Sequence, residues 1–367
     1  MSSSSPLEAP AAPASPPAPA RRRARPGRQR LGRFLLKRIA AGLLLCVGIT
    51  LVSFLLTQLV PGDPVTANLG QQASADPAAV AAFRHQYGLD RPVPVQYLVY
   101  LGNVLHGDFG MSQQSHRPVS TDLAEYIPAT MELALFAIVV SIVIGVPLGI
   151  LAAVYRDRWV DQVLRVVSLA GVSMPTFWIA LLAFYLLFFK LGVLPGGGRL
   201  DPTETPPTHT TGFYTVDALL HGQWSLLGSA LLHLVLPGLV LATYTVGMLL
   251  RFTRASVLEI LGLDYVRAAR AKGLPERVVV LRHVLRPALI SIITVAGVAF
   301  GSLLSGTVLV ESIFSWPGLG QYAYNSAKNL DLPAIMGVSV VVAVVYIVIN
   351  LLVDVLYGVI DPRIRLS

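Results

Sequence analysis

Six long apolar stretches dominate the sequence, and none of them contains Asp, Glu, Lys or Arg. Each has at least 22 residues, and about 20 apolar residues suffice for a helix to cross the hydrocarbon core of a bilayer. Because backbone amides in lipid must be paired within the protein, each stretch is predicted to be a transmembrane helix. The predicted spans are Ile39–Gly62, Leu133–Tyr155, Val166–Phe189, Trp224–Leu250, Pro287–Val310 and Leu332–Val353.

Composition agrees with this pattern, since 54% of the residues are hydrophobic and only 13% are charged. A soluble globular chain carries about a quarter charged residues. The sequence therefore predicts an all-α integral membrane protein with six transmembrane helices. Pro147, Pro175 and Pro237 lie inside three of the spans, where proline is expected to kink the helix.

The distribution of Lys and Arg predicts the orientation of the chain. If the N-terminus is cytoplasmic, the cytoplasmic segments hold 22 of the 28 basic residues and the external loops hold 6. The positive-inside rule then places both termini in the cytoplasm. The net charge of +8 is thus mainly a topology signal, and a nucleic-acid partner is not expected because the charges line membrane edges.

These boundaries divide the chain into five segments. Residues 1–30 are rich in Pro, Ala and Arg and are predicted to be a disordered cytoplasmic extension whose arginines lie against anionic lipid head groups. The apolar run that follows is too long for the core of a cleaved signal peptide. The other segments are the first transmembrane helix (31–62), an external loop domain (63–128), a core with the other five transmembrane helices and the cytoplasmic hairpin (129–362), and a cytoplasmic tail (363–367).

The first external loop is too long to be a simple connector. A short helix is predicted over Asp76–Tyr87, with Asp76 as N-cap and Pro77 at the first helical position. Tyr97 and Tyr100 suggest a second helix near the membrane interface. The loop is either a platform for an external partner or cap over a pore, or a folded spacer on the helical bundle. The second external loop, residues 190–222, is rich in Gly, Pro and Thr and resembles a flexible lid or spacer.

The cytoplasmic segment Asp264–Pro287 reads as a helical hairpin between the fourth and fifth spans. Asp264 is expected to cap its first helix, and Gly273 to end that helix in the left-handed conformation.

One face of this first helix has the character of a docking surface. Tyr265, Ala268, Ala269 and Lys272 fall at positions i, i+3, i+4 and i+7 and are expected to share that face. Two alanines would allow close approach of a partner, and Arg267, Arg270 and Arg277 add positive charge around them. A basic helix resting on the inner leaflet is the alternative, but it leaves the alanines and the glycine stop unexplained.

The sequence lacks the motifs of common nucleotide-binding and metal sites. No lysine is followed by Ser or Thr, so no phosphate-binding G-x-x-x-x-G-K-[ST] loop occurs. Cys46 is the single cysteine, and no Cys/His cluster has zinc-site spacing. His233, within the fourth span, is expected to form a helix-to-helix hydrogen bond rather than to bind a metal. We predict no catalytic residue, no metal site and no cofactor bound by this chain.

Two other classes of membrane protein fit less well. A secondary transporter or channel that works without ATP is expected to place ionisable groups at mid-membrane, whereas the charged residues nearest the spans lie at span ends: Glu132, Lys190, Glu311 and Asp354. An intramembrane hydrolase needs a nucleophile and a base at depth, and no G-x-S-x-G string occurs.

Several ordered motifs resemble the permeases of ATP-binding-cassette (ABC) importers. Ala268-Ala269-x3-Gly273 is similar to their EAA loop, and DYVRAARAKGL followed by RHVLRPAL resembles the dipeptide/oligopeptide, binding-protein-dependent branch. FLLTQLVPGDP, ESIFSWPGLG and DVLYGVIDPRIR resemble other parts of that branch, so the likeness covers about nine-tenths of the chain. The sequence departs from the general pattern at Arg267, which stands in the glutamate position, and at His283 and Arg286.

The resemblance implies a type I ABC importer permease fold in the bacterial plasma (inner) membrane. Such a permease pairs with a second, homologous permease as a heterodimer, binds two cytosolic ABC ATPase subunits that carry ATP and Mg, and receives peptide from an extracytoplasmic substrate-binding protein. The helix from Asp264 to Lys272 would then be the coupling helix. Members of the branch also carry nickel chelates, glutathione and some sugars, and the sequence leaves this choice open.

Candidate residues for a translocation path lie in the third span and around the end of the fifth. Ser173 and Met174 precede Pro175 at a predicted kink that could act as a gate. Ser305 and Thr307 could bond a peptide backbone, and Glu311 could meet a peptide amine. Close helix packing is the other interpretation of the small residues in the fifth span, and a helix-end contact is the other interpretation of Glu311.

Overall fold

The computed structural model describes residues 28–59, 76–86 and 90–360. Apart from an isolated bridge between Met111 and Pro118, the regular structure in these ranges is helical. The N-terminal extension through residue 27, the turn at Pro61–Pro64, the end of the predicted helix at Tyr87 and the tail at 363–367 lie outside the described residues.

We label thirteen α-helices among the described residues. They are α1 (Arg28–Leu59), α2 (Pro77–Gln86), α3 (Val93–Leu105), α4 (Val119–Val154), α5 (Trp159–Ser173), α6 (Thr176–Ala183), α7 (Tyr214–Leu220), α8 (Trp224–Leu261), α9 (Asp264–Ala271), α10 (Leu285–Gly306), α11 (Val308–Ile313), α12 (Leu319–Lys328) and α13 (Leu332–Ile360). π-helical turns extend α6 through Phe184–Lys190 and lead into α10 over Val279–Val284.

Among the described residues five helices are long and apolar enough to cross a membrane, and a sixth span is formed if α5 and the extended α6 count as one. This confirms an all-helical membrane protein with five or six apolar helices. The long helices overrun the predicted limits: α4 begins at Val119 rather than Leu133, and α8 continues to Leu261. Both run as single helices through their internal prolines, Pro147 and Pro237.

The third predicted span is broken at Pro175, and its two halves meet at a bend of 100°. Met174, which precedes the proline, has an extended backbone (φ −79°, ψ 133°). A residue before proline is disfavoured in the helical region because the proline ring clashes with its backbone. The kink predicted at Ser173-Met174-Pro175 is therefore confirmed, and it is sharper than a proline kink inside a continuous helix.

The core lies between α4 and α8, which pack closely along their length. A Cβ at Gly149 would lie 2.6 Å from the Cβ of Thr253 and 2.7 Å from the carbonyl oxygen of Leu250, so a larger residue there would force the helices apart. Leu133 and Leu249 are fully buried in the same core. This helix pair supports the structures at both membrane faces of the protein.

The segment predicted to be a flexible lid or spacer, residues 190–222, is anchored to α4 by buried contacts. Arg199 and Glu132 form an ion pair at 2.6 Å with both side chains only 5% exposed, and the Arg199 guanidinium lies 3.5 Å from the centre of the Tyr214 ring. Asp217 accepts hydrogen bonds from backbone N–H groups of the preceding turn. The pKa of Asp217 is pushed up by burial, but these bonds and that of the Thr211 hydroxyl bring it below its ordinary value.

The first external segment packs on the bundle through α3. The Tyr97 ring lies 5.6 Å from that of Phe54 in α1, and the Tyr97 hydroxyl bonds to the Thr50 hydroxyl at 2.9 Å. In α2 the carboxylate of Asp76 accepts the N–H of Ala78 at 2.9 Å, which confirms Asp76 as the N-cap. The packing of α3 on α1 is what a folded spacer requires, and both the spacer and the platform or cap role stay predictions.

Candidate functional site

The exposed helix α9 joins two long membrane helices. It begins at Asp264 with Leu263 as its N-cap, and Leu263 makes no side-chain capping bond. The prediction that Asp264 caps the helix is therefore wrong, because the chain enters the helix one residue earlier. Asp264 lies in the first turn, where a carboxylate suits the helix dipole, and it pairs with Arg267 at 2.6 Å on the surface.

Gly273 ends α9 as predicted. Its backbone is left-handed (φ +76°), and its N–H donates to the carbonyl of Arg270 at 2.9 Å. Glycine adopts this conformation without the clash that a Cβ causes. The chain can therefore reverse at once toward the next membrane helix.

The second arm of the predicted hairpin is continuous with the fifth membrane helix. A short helical turn, Glu276–Val278, passes through the π-helical segment into α10. Arg270 and Glu276 pair at 2.6 Å across the reversal. The Tyr265 hydroxyl donates to the carbonyl of His283 at 3.2 Å. These two contacts connect α9 to the segment that leads into α10.

The side of α9 that is buried differs from the one that the sequence predicted. Val266 is fully buried and Ala269 is 7% exposed, and both belong to a cluster with Val257, Val279 and Val284. Ala269 therefore faces the protein interior, and the prediction that it shares the outer face with Ala268 is wrong in this respect. A helix that packs on its own protein must bury one stripe, and Val266 with Ala269 at i+3 forms it.

Five exposed side chains on the outer side of this segment form a patch that we call the α9 surface. Ala268 gives it a flat centre, and charged or aromatic groups surround it. Its members are Asp264, Tyr265, Arg267, Ala268 and Lys272. A small residue between cations permits close approach by another protein with acidic groups.

One ion pair next to the hairpin was not predicted. Asp161, fully buried at the start of α5, accepts two bonds from Arg254 of α8, at 2.6 and 2.8 Å. It therefore fixes α5 to the end of α8 that leads into α9. The i,i+4 spacing of Asp161 and Arg165 is visible in the sequence, but the partner 93 residues away is set by packing.

The predicted path residues separate into two places. Ser173 and Met174 are exposed at the bend between α5 and α6. Thr307 and Glu311 are fully buried near the junction of α10 and α11, and the structure describes only the backbone of Ser305.

Glu311 is held by its own chain. One oxygen accepts from the Thr130 hydroxyl at 2.7 Å, and the other accepts the N–H of Gln321 at 2.8 Å. With both oxygens bonded and no exposed surface, the carboxylate joins helices in this conformation. The structure therefore favours the helix-end interpretation of Glu311.

His233 hydrogen-bonds within its own helix. Its Nδ1 lies 2.9 Å from the carbonyl oxygen of Ser229, so the predicted helix-to-helix bond is not the one observed. Among the described residues, no group of three or more His, Cys, Asp or Glu side chains is arranged to hold a metal ion.

Comparison with known proteins places most of the chain in one family. Residues 145–366 match the family described as binding-protein-dependent transport system inner membrane component, and residues 31–134 match the corresponding N-terminal family. The probable D,D-dipeptide transport system permease protein DdpB of Escherichia coli K12 is 46% identical over 331 residues, which is 90% of this chain and 97% of the relative.

Two further similarities extend the comparison. The dipeptide transport system permease protein DppB of Alkalihalophilus pseudofirmus is 40% identical over 332 residues, or 90% of this chain and 99% of the relative. A chain of the MetNI methionine ABC transporter, solved in inward-facing conformations, is 16% identical with a TM-score of 0.46, covering 65% of this chain and 96% of that one.

Proposed function

The chain belongs to the family of binding-protein-dependent transport system inner membrane components, and we propose that it is the permease subunit of an ABC importer for di- and oligopeptides. The similarity to permeases named for dipeptide and D,D-dipeptide transport, at 40–46% identity over 90% of the chain, carries this proposal. In this function the chain forms half of the path across the membrane and has no ATPase site of its own.

The α9 surface is the proposed contact with a cytosolic ATPase subunit. It is exposed, it has a small residue at its centre, and its inner side is fixed to the bundle by Val266 and Ala269. The coupling residues are Asp264, Tyr265, Arg267, Ala268, Lys272 and Gly273, with Ala269 acting from the interior. Because Tyr265 bonds to the start of the fifth membrane helix, movement of an ATPase would reach the bundle through this helix.

The proposed topology has six spans with both termini in the cytoplasm, in a bacterial plasma membrane. The excess of Lys and Arg on one side supports this orientation. The bent pair α5–α6 counts as one span in this arrangement, with Ser173 and Met174 at a hinge that could gate the path. Ser305, Thr307 and Glu311 lie around the end of the fifth span, where small shifts of α10 and α11 would alter the path.

The importer needs further subunits. We propose a second, homologous permease that forms the other half of the path, two ATPase subunits that supply ATP and Mg²⁺ chemistry, and an external binding protein that delivers peptide. No phosphate-binding loop occurs in this sequence, which supports placing ATP hydrolysis on another chain.

Reconstitution tests the function directly. Proteoliposomes that contain this chain, a second permease and the ATPases should take up a dipeptide only with ATP and the binding protein present. Uptake by this chain alone, without ATPases, would overturn the importer function and favour an ATP-independent transporter or channel.

The docking surface is tested by Ala268→Arg in the same assembly. A long charged side chain at the flat centre of the α9 surface should prevent close contact, so we expect at least about a tenfold loss of binding-protein-stimulated ATPase activity, comparable to the loss of one interface anchor. Ala327→Arg, at an exposed alanine of α12, is the matched control and should keep wild-type activity. Full stimulation in Ala268→Arg would place the ATPase contact elsewhere.

A further inference from the structure

A cavity that is open to solvent, with both polar and apolar walls, lies between the anchored segment after α6 and the first turns of α8. Its volume is about 640 Å³, which is within the size range of small-molecule sites. Trp224, Leu232 and Pro195 give it apolar walls, and Asp201 and Glu204 contribute carboxylates. None of the predicted path residues lines it.

The lining is negative and rich in hydrogen-bond acceptors. Neither Lys nor Arg lines the cavity, whereas two carboxylates do, together with hydroxyl groups of Thr203, Ser225 and Ser229. Asp201 stays ionised, since hydrogen bonds from the hydroxyl and N–H of Thr203 keep its pKa below the ordinary value. The cavity therefore suits a ligand that is positively charged and donates hydrogen bonds.

Two lining side chains have unused bonding capacity. One carboxylate oxygen of Glu204 is buried without a hydrogen-bond partner. His233 is only 9% exposed, and its Nδ1 contacts a backbone carbonyl while its Nε2 has no hydrogen bond to any described residue. A buried polar atom without a partner is costly, so the Glu204 oxygen gains a bond if its side chain turns toward a ligand, and the Nε2 of His233 offers a second bonding site.

The geometry favours an organic cation over a metal ion. Asp201, Glu204 and His233 line one cavity, yet among the described residues no three such groups converge closely enough to hold a metal. The volume is also far greater than a metal ion requires. An ammonium group, in contrast, can bond to one carboxylate at a time, and the exposed indole of Trp224 offers a face that attracts cations.

We propose that this cavity binds the protonated amino terminus of a peptide, with Asp201 and Glu204 accepting from the ammonium group and Trp224 covering the adjacent part of the ligand. The choice of a peptide as the amine rests on the proposed function. His233 and the hydroxyl groups contact the backbone beyond the amine, and peptides without a free amine lose the main interaction.

The experiment measures binding of Ala-Ala and of N-acetyl-Ala-Ala to the full chain in lipid nanodiscs, without ATPases or binding protein. Acetylation removes the charge and leaves the peptide otherwise intact, so the acetylated peptide should bind at least about tenfold more weakly, as for loss of a charge-assisted hydrogen bond. Glu204→Gln and Asp201→Asn should each weaken Ala-Ala binding by about tenfold. Equal affinity for the two peptides would overturn the proposal without relying on any variant.

Glu259→Gln is the matched control. Glu259 is an exposed carboxylate of the same helix, α8, and lies about 39 Å along the helix axis from His233. This variant should bind Ala-Ala as the wild type does, and an equal loss in this control would show that the effect is general charge rather than the cavity. Uptake by the assembled importer distinguishes the two proposals. If the importer takes up peptide with ATP but Glu204→Gln binds Ala-Ala as tightly as the wild type, only the cavity site is overturned.

Discussion

At the scale of single residues, the charges that matter most for stability are those buried in pairs. Glu132 and Arg199 are taken out of water together, and Glu132 also accepts from the N–H and hydroxyl of Thr215. Removing one partner of a buried pair leaves the other charge without compensation. The pair fixes a segment of 33 residues, numbered 190–222, that composition alone would assign to a mobile loop.

Glu132→Gln should therefore destabilise the protein strongly. We expect a loss of about 3–5 kcal/mol, because Arg199 stays buried without its counter-charge. Thermal unfolding in detergent measures the change. The control is Glu125→Gln, which breaks the exposed pair with Arg117 and should cost less than about 1 kcal/mol. Similar losses in both variants would show that the burial of the Glu132–Arg199 pair is not important for stability.

At the scale of elements, two features determine the structure of α9: the residue that ends the helix and the side chains that it buries. The left-handed Gly273 allows the reversal, and Val266 with Ala269 attaches the helix to the bundle. A charged substitution at Ala269 would therefore disrupt the attachment itself and could not report on docking. The exposed Ala268 is the position at which docking can be tested separately.

Gly273→Ala should loosen the end of α9. A Cβ at Gly273 would meet no atom within 4 Å, so the cost is conformational and amounts to about 1–2 kcal/mol for an L-residue in the left-handed region. Hydrogen exchange at Val266 and Ala269 should accelerate by about tenfold or more.

Gly262→Ala provides the comparison, because Gly262 precedes the same helix with an ordinary helical backbone (φ −77°). Its exchange rates should stay close to those of the wild type. Unchanged exchange in Gly273→Ala as well would mean that the end of α9 does not depend on the glycine.

At the scale of the whole molecule, the two ends of the long helices carry different structures. One end of α8 leads into the exposed α9, and the other borders the cavity with Asp201 and His233. Because α8 is 38 residues long, these features are separated by the full thickness of a membrane. The proposed peptide site and the proposed ATPase contact are therefore linked through α8 and the helices packed on it.

Cysteine labelling tests this arrangement. In a Cys46→Ala background, Arg277→Cys and Asn329→Cys each introduce one thiol at an exposed position. A membrane-impermeant maleimide should label Asn329→Cys from outside intact cells and Arg277→Cys only after the membrane is opened. The background without cysteine is the control, and labelling of both positions from the same side would overturn the proposed topology.

The sequence by itself determined the helices and their class. An uncharged stretch of more than about 20 residues must be helical in lipid, since no water satisfies its backbone there. Local rules also predicted the end of α9 at Gly273, the cap at Asp76 and a kink at Pro175, because each depends on the backbone preferences of one or two residues.

Only the tertiary structure decided which side chains are buried and which distant groups meet. Ala268 and Ala269 are equivalent in sequence, and packing against Val257 and Val284 makes one of them part of the interior. The pairing of Glu132 with Arg199 and the cavity beside His233 likewise depend on contacts across many intervening residues. Local propensity carries no information about such contacts, because they exist only when separate helices have packed together.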